Sequence, residues 1–193
     1  MTAYVNKDDP RAKKTRRSLR NALIELLAEK EFSSITIQHI TDRAELNRAT
    51  FYGHFQDKFE LLDETLGELL EEAIRQRIPD DPGDDGSALV RGLMLAVCDW
   101  QLKTTRHLNR KLTLSASLET NAKKKLYEIV RSCLEQLEPL DAQYSRKPEI
   151  KAAMISWSIY GIVLQWCEQA RGEPAETLAE QALPLIMAGV RTP

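Results

Sequence analysis

Between Asn47 and His54 the chain reads NRATFYGH, and these are residue types that can meet a nucleic-acid duplex. The Arg48 guanidinium can form a bidentate pair with a guanine edge, and the Ala49 methyl can pack on a thymine methyl. The hydroxyls of Thr50 and Tyr52 can bind phosphate oxygens. Gly53 lets the backbone come close to a duplex, and the free N–H groups of a helix start attract phosphate. Wound as an α-helix, the segment puts Phe51 and Phe55 about 40° apart on an inward face beside Leu46. Ala49, Thr50 and Gly53 then fall on the other side, with Arg48 and Tyr52 on the border, where long side chains swing outward. Thr36, Gln38, His54 and Lys58 flank this edge. Lys58 opens the next helix, where the helix dipole disfavours a cation, and a phosphate nearby would account for it. Taken singly, each of these residues has a plainer reading as a solvated or core side chain. Their order is the more specific signal.

Two short helices with clear starts impose that order. Thr36 caps the first, with Ile35 before it and Ile40 at the fourth helical position, a hydrophobic staple. His39 stands where the Glu or Gln of a capping box would reach back, so the box is expected to be incomplete. Asn47 caps the second, with Leu46 before it and Phe51 at the fourth position. Only Ala44-Glu45-Leu46 separates the two, which is the helix-turn-helix arrangement. Ahead of the pair, Leu19, Ala22, Leu23, Leu26 and Leu27 form one apolar stripe, predicting a helix from Thr15 to about Lys30. Residues 1–14 lack such periodicity and read as a flexible basic arm. After the pair, Asp57 caps a longer helix with Glu60 as its capping-box partner, and the stripe Phe59, Leu62, Leu66, Leu69, Leu70, Ala73 carries it toward Arg77.

The acidic, Pro/Gly-rich stretch 79–86 is the strongest loop signal. Beyond it helices are expected over 87–103, 106–117, 119–137, 149–171 and 174–190. Pro148 and Pro174 suit helix starts, Gly172 suits an end, and Pro184 should kink or split the last helix. No stretch shows the period-two alternation of a half-buried strand. The expected fold is all-α with about nine helices, an N-terminal three-helix helix-turn-helix head on a larger helical body, divided near residue 57 into 1–56 and 57–193.

Composition agrees. Of 193 residues 42% are hydrophobic and 29% charged, ordinary for a soluble globular chain. The net charge is −2, yet residues 1–58 hold eleven Lys/Arg against eight Asp/Glu, leaving −5 for the remainder. A basic head on an acidic body suits DNA binding. Cys98, Cys133 and Cys167 are odd in number and form no CxxC pair, so they read as reduced thiols of a cytosolic protein. The polar, basic first twenty residues do not form a signal peptide, and no apolar run approaches the roughly 20 residues of a membrane helix. A cytoplasmic location without membrane contact is expected. His39, His54 and His107 lack metal-binding spacing, and there is no glycine phosphate loop or GxSxG elbow, so neither catalysis nor a metal or cofactor is expected.

The run ITIQHITDRAELNRATFYGHFQDKFELL, residues 35–62, resembles the DNA-binding signature of the TetR/AcrR family of repressors. Thr36, Ile40, Ala44, Thr50, Phe51, Tyr52, His54, Phe55, Lys58 and Leu61 match it. Thr41, Glu45 and Asn47 depart from its usual Ala, Gly and Ser. Asn47 keeps the capping role, whereas Glu45 lacks the freedom of Gly in a left-handed turn, so the turn is expected to be strained or reshaped. The resemblance implies a three-helix head, 15–54. In it Gln38, Arg48, Ala49 and Thr50 face bases, while Thr36, Tyr52, His54 and Lys58 hold the phosphates of an operator duplex, and Asn47, the cap, belongs to the same DNA-binding set. Arg16, Arg17 and Arg20 would add backbone contacts.

The same resemblance implies a ligand pocket in the body and a homodimer through the last two helices. For the pocket, Trp100, Tyr127, Trp157 and Tyr160 offer aromatic rings with polar handles, and Met94, Val97, Leu114 and Val130 offer apolar lining, pointing to a small apolar or weakly polar ligand. For the seam, Ile155, Ile159, Ile162 and Trp166 form one stripe and Leu178, Ala182, Leu185 and Gly189 another. The function implied is a one-component transcriptional repressor that binds a near-palindromic operator and is released by a small molecule. Two alternatives share the same head or body: a DNA-binding protein of chromosome organisation, and a helical protein-interaction module without ligand control.

Overall fold

The computed structural model describes residues 9–78, 86–108, 116–137, 148–169 and 172–190. Among them there are eight α-helices, one 3-10 turn and no strand. The helices are α1 (Pro10–Glu29), α2 (Ile37–Arg43), α3 (Arg48–His54), α4 (Lys58–Arg77), α5 (Ser87–Leu108), α6 (Ala116–Leu137), α7 (Pro148–Gln169) and α8 (Ala175–Val190). The 3-10 turn covers Phe32–Ser34. The chain divides into two compact units, Met1–Glu68 with Thr104–Ser115, and Leu69–Lys103 with Ala116–Pro193.

In the first unit, α1 begins at Pro10, five residues earlier than the apolar stripe indicates. Asp9 caps it by accepting from Arg11 N at 2.7 Å, and Pro10 pre-sets the first turn. Residues 10–14 are therefore helix rather than arm. Their polarity hid this, because only Ala12 of that turn faces inward. Leu19, Leu23, Leu26 and Leu27 are buried on α1, together with Phe32, Ile35, Ile40, Phe51, Phe55, Leu61 and Leu62 from the elements around it. Each such side chain contributes roughly 1.5–3 kcal/mol when fully buried. α2 packs on α1 and α3, and α3 also meets α1.

In the second unit, α5 is buried on nearly every side from Leu89 to Trp100, as expected of a helix apolar all round. Arg77 reaches Asp99 at 2.8 Å and Lys125 reaches Glu71 at 2.7 Å, tying α4 to α5 and α6. α7 packs on α6 and α8. Gly172 takes φ +68, the left-handed conformation that glycine permits. Pro184 lies inside α8 without splitting it. The helix expected over 106–117 is not separate in its described parts: residues 106–108 finish α5 and 116–117 start α6, while 109–115 lie outside the described residues. Burial pushes the Cys98 thiol up to about 12 and the Cys167 thiol to about 11, so neither is a thiolate at neutral pH.

Candidate nucleic-acid interface

The candidate interface is the leading edge of α3 with the starts of α2 and α4. Asn47 caps α3 with its side-chain oxygen, accepting from Thr50 N at 2.7 Å and from the Thr50 hydroxyl at 3.0 Å. Phe51 is wholly buried and meets Phe55 at a centroid distance of 5.8 Å, so the helix is pinned through this aromatic pair. The opposite edge is open: Arg48, Ala49 and Gly53 are exposed, Tyr52 is 49% exposed and Thr50 is half-buried. Arg48 lies alongside Tyr52, with Nη2 3.4 Å from the phenol oxygen. A guanidinium, a methyl, a phenol and a bare glycine thus share one solvent-facing edge.

Thr36 and Gln38 are exposed at the start of α2. Thr36 caps it by accepting from His39 N at 3.2 Å, and His39 Nδ1 accepts in return from Thr36 N at 3.3 Å. The capping box is complete after all, because an imidazole nitrogen does the work usually done by Glu or Gln. Gln38 donates to Asp42 at 2.5 Å, which orients its amide along the helix. At α4, Asp57 accepts from Phe59 N and Glu60 N, both at 2.8 Å, but Glu60 reaches back to Gln56 N at 2.6 Å rather than to the cap itself.

Glu45 sits in the turn at φ +55. The turn is strained rather than reshaped: a side chain holds the left-handed conformation at a cost of roughly 1–2 kcal/mol. Glu45→Gly is expected to raise stability by about 0.5–1 kcal/mol, the strain relieved less the backbone entropy glycine loses. Chemical denaturation of the two proteins side by side measures this.

Lys58 and two of the N-terminal arginines depart from the sequence expectation. Lys58 Nζ donates to the carbonyls of Phe32 at 3.0 Å, Ser33 at 3.3 Å and Ile35 at 2.7 Å, and lies 4.6 Å from the Phe32 ring centre. An ammonium has three N–H donors, so all are engaged. The cation at a helix start is accounted for by carbonyls, and a phosphate there would meet its charge without a free N–H. Arg16 is buried and, like Arg20, is paired with Glu64, while Arg20 also reaches Glu68 at 2.6 Å. These two guanidinium groups are held inside the head instead of being offered to a backbone. The signal was present, since Arg16 stands in phase with Ala12, Leu19 and Leu23 on the buried stripe.

His54 ends α3 half-buried, and burial together with the nearby Arg16 charge holds its pKa below the ordinary value. The folded state therefore binds the proton less firmly than the unfolded chain. Neutral His54 contributes its full stability above about pH 6.5, and that contribution falls as the pH drops below it. His54→Gln should flatten the fall in stability across this acid range, as read from unfolding midpoints between about pH 5 and 7.

The residues expected around a ligand separate. Met94, Val97, Trp100, Val130 and Tyr160 are buried, and Tyr127 is half-buried. Leu114 lies outside the described residues. Trp157 is 63% exposed, with Lys123 Nζ 5.4 Å from its ring, because its helical phase opposes that of buried Ile155 and Ile159. It lines the surface, not the interior. The Tyr160 hydroxyl is buried without a hydrogen-bond partner among the described residues, and burial pushes its pKa to about 12. The stripes expected at a dimer seam also turn inward in part. Ile155, Ile159 and Ala182 belong to the core of the chain, whereas Ile150, Met154 and Trp157 on α7 and Leu185 on α8 are exposed.

The described residues thus form a helix-turn-helix head, with one edge of α3 open to solvent, and further α-helices after it. Residues 19–65 match the model of the tetR family of bacterial regulatory proteins. The chain is 25% identical over 184 residues to YxbF, an uncharacterized HTH-type transcriptional regulator of Bacillus subtilis; the match covers 92% of the chain and 46% of YxbF, so the chain spans about half the length of that relative. Its fold is similar to that of AlkX, a TetR-family repressor from Dietzia implicated in n-alkane biodegradation. That likeness has a TM-score of 0.58 at 19% identity and covers 95% of this chain and 96% of that one. It is also similar to FadR from Bacillus subtilis, solved in complex with stearoyl-CoA, with a TM-score of 0.55 at 16% identity over 91% and 99% of the two chains.

Proposed function

We propose that the protein is a cytoplasmic transcriptional repressor, not an enzyme, that binds a near-palindromic operator as a homodimer and is released by a small apolar or weakly polar molecule. The observation that carries this reading is the capped, aromatic-pinned α3 whose Arg48, Ala49, Tyr52 and Gly53 face solvent. Gln38, Arg48, Ala49 and Thr50 read base edges, and Thr36, Asn47, Tyr52 and His54 contact phosphates. Lys58 adds positive charge while holding the 32–35 segment. In this reading residues 1–56 bind DNA and residues 57–193 bind the ligand and the second copy.

Support for the ligand comes from the body's own chemistry. The interior residues Met94, Val97, Trp100 and Val130 are apolar, and the buried Tyr160 hydroxyl has a proton to donate and no acceptor among the described residues. An unpaired buried hydroxyl costs about 1–3 kcal/mol, which a ligand oxygen would recover. The n-alkane and stearoyl-CoA associations of AlkX and FadR agree with an apolar ligand. For the dimer, the exposed Ile150, Met154, Trp157 and Leu185 supply an apolar strip on the last two helices. Sedimentation of Trp157→Glu should show monomer at concentrations where the unaltered protein is dimeric; a variant that stays dimeric would move the seam elsewhere. Fluorescence anisotropy with duplex DNA from the region upstream of the protein's own reading frame tests the function as a whole. Saturable binding that weakens with salt is expected, and no binding at low salt would overturn it.

A further inference from the structure

We propose that Arg16 is a positioning residue for the DNA-reading helix: one guanidinium from α1 fastens the tail of α3 to α4. Arg16 is 8% exposed, and each nitrogen of its planar head donates a hydrogen bond. Nε donates to Glu64 Oε1 at 2.9 Å and Nη2 donates to Glu64 Oε2, a bidentate pair. Nη1 donates to the His54 carbonyl at 3.0 Å. The guanidinium plane lies 4.3 Å from the Phe55 ring centre.

His54 is the last residue of α3, and its carbonyl is one of those a helix leaves without an internal partner. Arg16 fills that place with a cation, the charge a helix C-terminus favours. Phe55, the residue that follows, also meets Phe51, with ring centres 5.8 Å apart. Glu64 in turn is shared, accepting from Arg20 Nη1 at 3.0 Å, and Arg20 bonds Glu68 at 2.6 Å. The chain of contacts therefore runs from α4 through Glu64 and Arg16 to the end of the helix whose front edge reads bases. α3 has only seven residues, too few to hold its own axis, and its front is fixed by Asn47 and its middle by Phe51. Arg16 is what fixes the rear. A lysine at position 16 keeps the charge for Glu64 but lacks the fork that reaches two partners at once.

The binding half of the test rests on the assignment of α3 as the DNA-reading helix, and the exchange half does not. Arg16→Lys and Glu64→Gln, the second leaving the α1 side chain in place, are compared with the unaltered protein. Hydrogen exchange of the amides at 51–55 in the free protein is expected to quicken by about tenfold in both, while α1 and α5 amides hold their rates. Against a duplex that the unaltered protein selects from a random pool, discrimination over a shuffled duplex should fall by about tenfold in both, and the double variant should lose little more. The slope of log Kd against log salt should not change, because no phosphate contact is removed. Unchanged exchange at 51–55 in both variants would overturn the proposal, as would a salt slope reduced by about one, which would make Arg16 a phosphate contact. If the unaltered protein selects no duplex, the reading of α3 fails, and the exchange rates still decide the role of Arg16.

Discussion

Phe51→Ala is expected to lower the stability of the protein by about 3–5 kcal/mol, the largest single effect among the head residues. The ring is fully buried and touches Tyr52 edge-on at 5.6 Å and Phe55 at 5.8 Å. Removing it opens a cavity under α3 and loses the aromatic contacts as well, and so short a helix cannot survive on its own hydrogen bonds. The loss should therefore reach function. In a temperature range where circular dichroism still reports a helical body, binding to DNA should already have gone. Urea unfolding followed by far-ultraviolet circular dichroism gives the number. A loss below about 1 kcal/mol would mean the ring is not the anchor of α3.

Arg48→Ala is expected to cost about 1–3 kcal/mol of base discrimination in each half-site and to relax the preference at one base pair, leaving the others as they were. Arg48 is exposed at the first turn of α3 and approaches the Tyr52 phenol at 3.4 Å, so stability should change little. That separation distinguishes a reading residue from a supporting one. Phe51 moves stability first and binding through it, whereas Arg48 moves binding alone. Selection from a random duplex pool, compared position by position between the two proteins, checks it. A uniform loss at all positions would make Arg48 a phosphate contact instead.

The local rules of helix starts were the most legible part of the chain. Asn47 and Thr36 cap as their side chains dictate, and Phe51 and Phe55 are buried where the helical phase puts them. What escaped was chemistry that depends on a partner distant in sequence. Lys58 looked like a cation awaiting phosphate, because the carbonyls that hold it lie 23 to 26 residues away. Arg16 looked like part of a basic arm, because Glu64 is 48 residues off. His39 completed a capping box that the residue-type rule assigns to Glu or Gln. In the body, the sequence puts Ile155 and Ile159 in a dimer stripe and Trp157 in a pocket, whereas Ile155 and Ile159 are buried within the chain and Met154 and Trp157 are exposed. α7 is apolar on more than one side, and a helix of that kind does not announce which stripe is internal.

Selection by the purified protein from a random-sequence duplex pool at low salt tests the central assignment, α3 as the reader of a major groove, most directly. The account predicts enrichment of a near-palindrome whose half-sites are spaced by about one helical turn or somewhat more, with binding that weakens steeply as salt rises. A pool that returns unenriched, or a protein that retains no duplex at the lowest salt used, would contradict it.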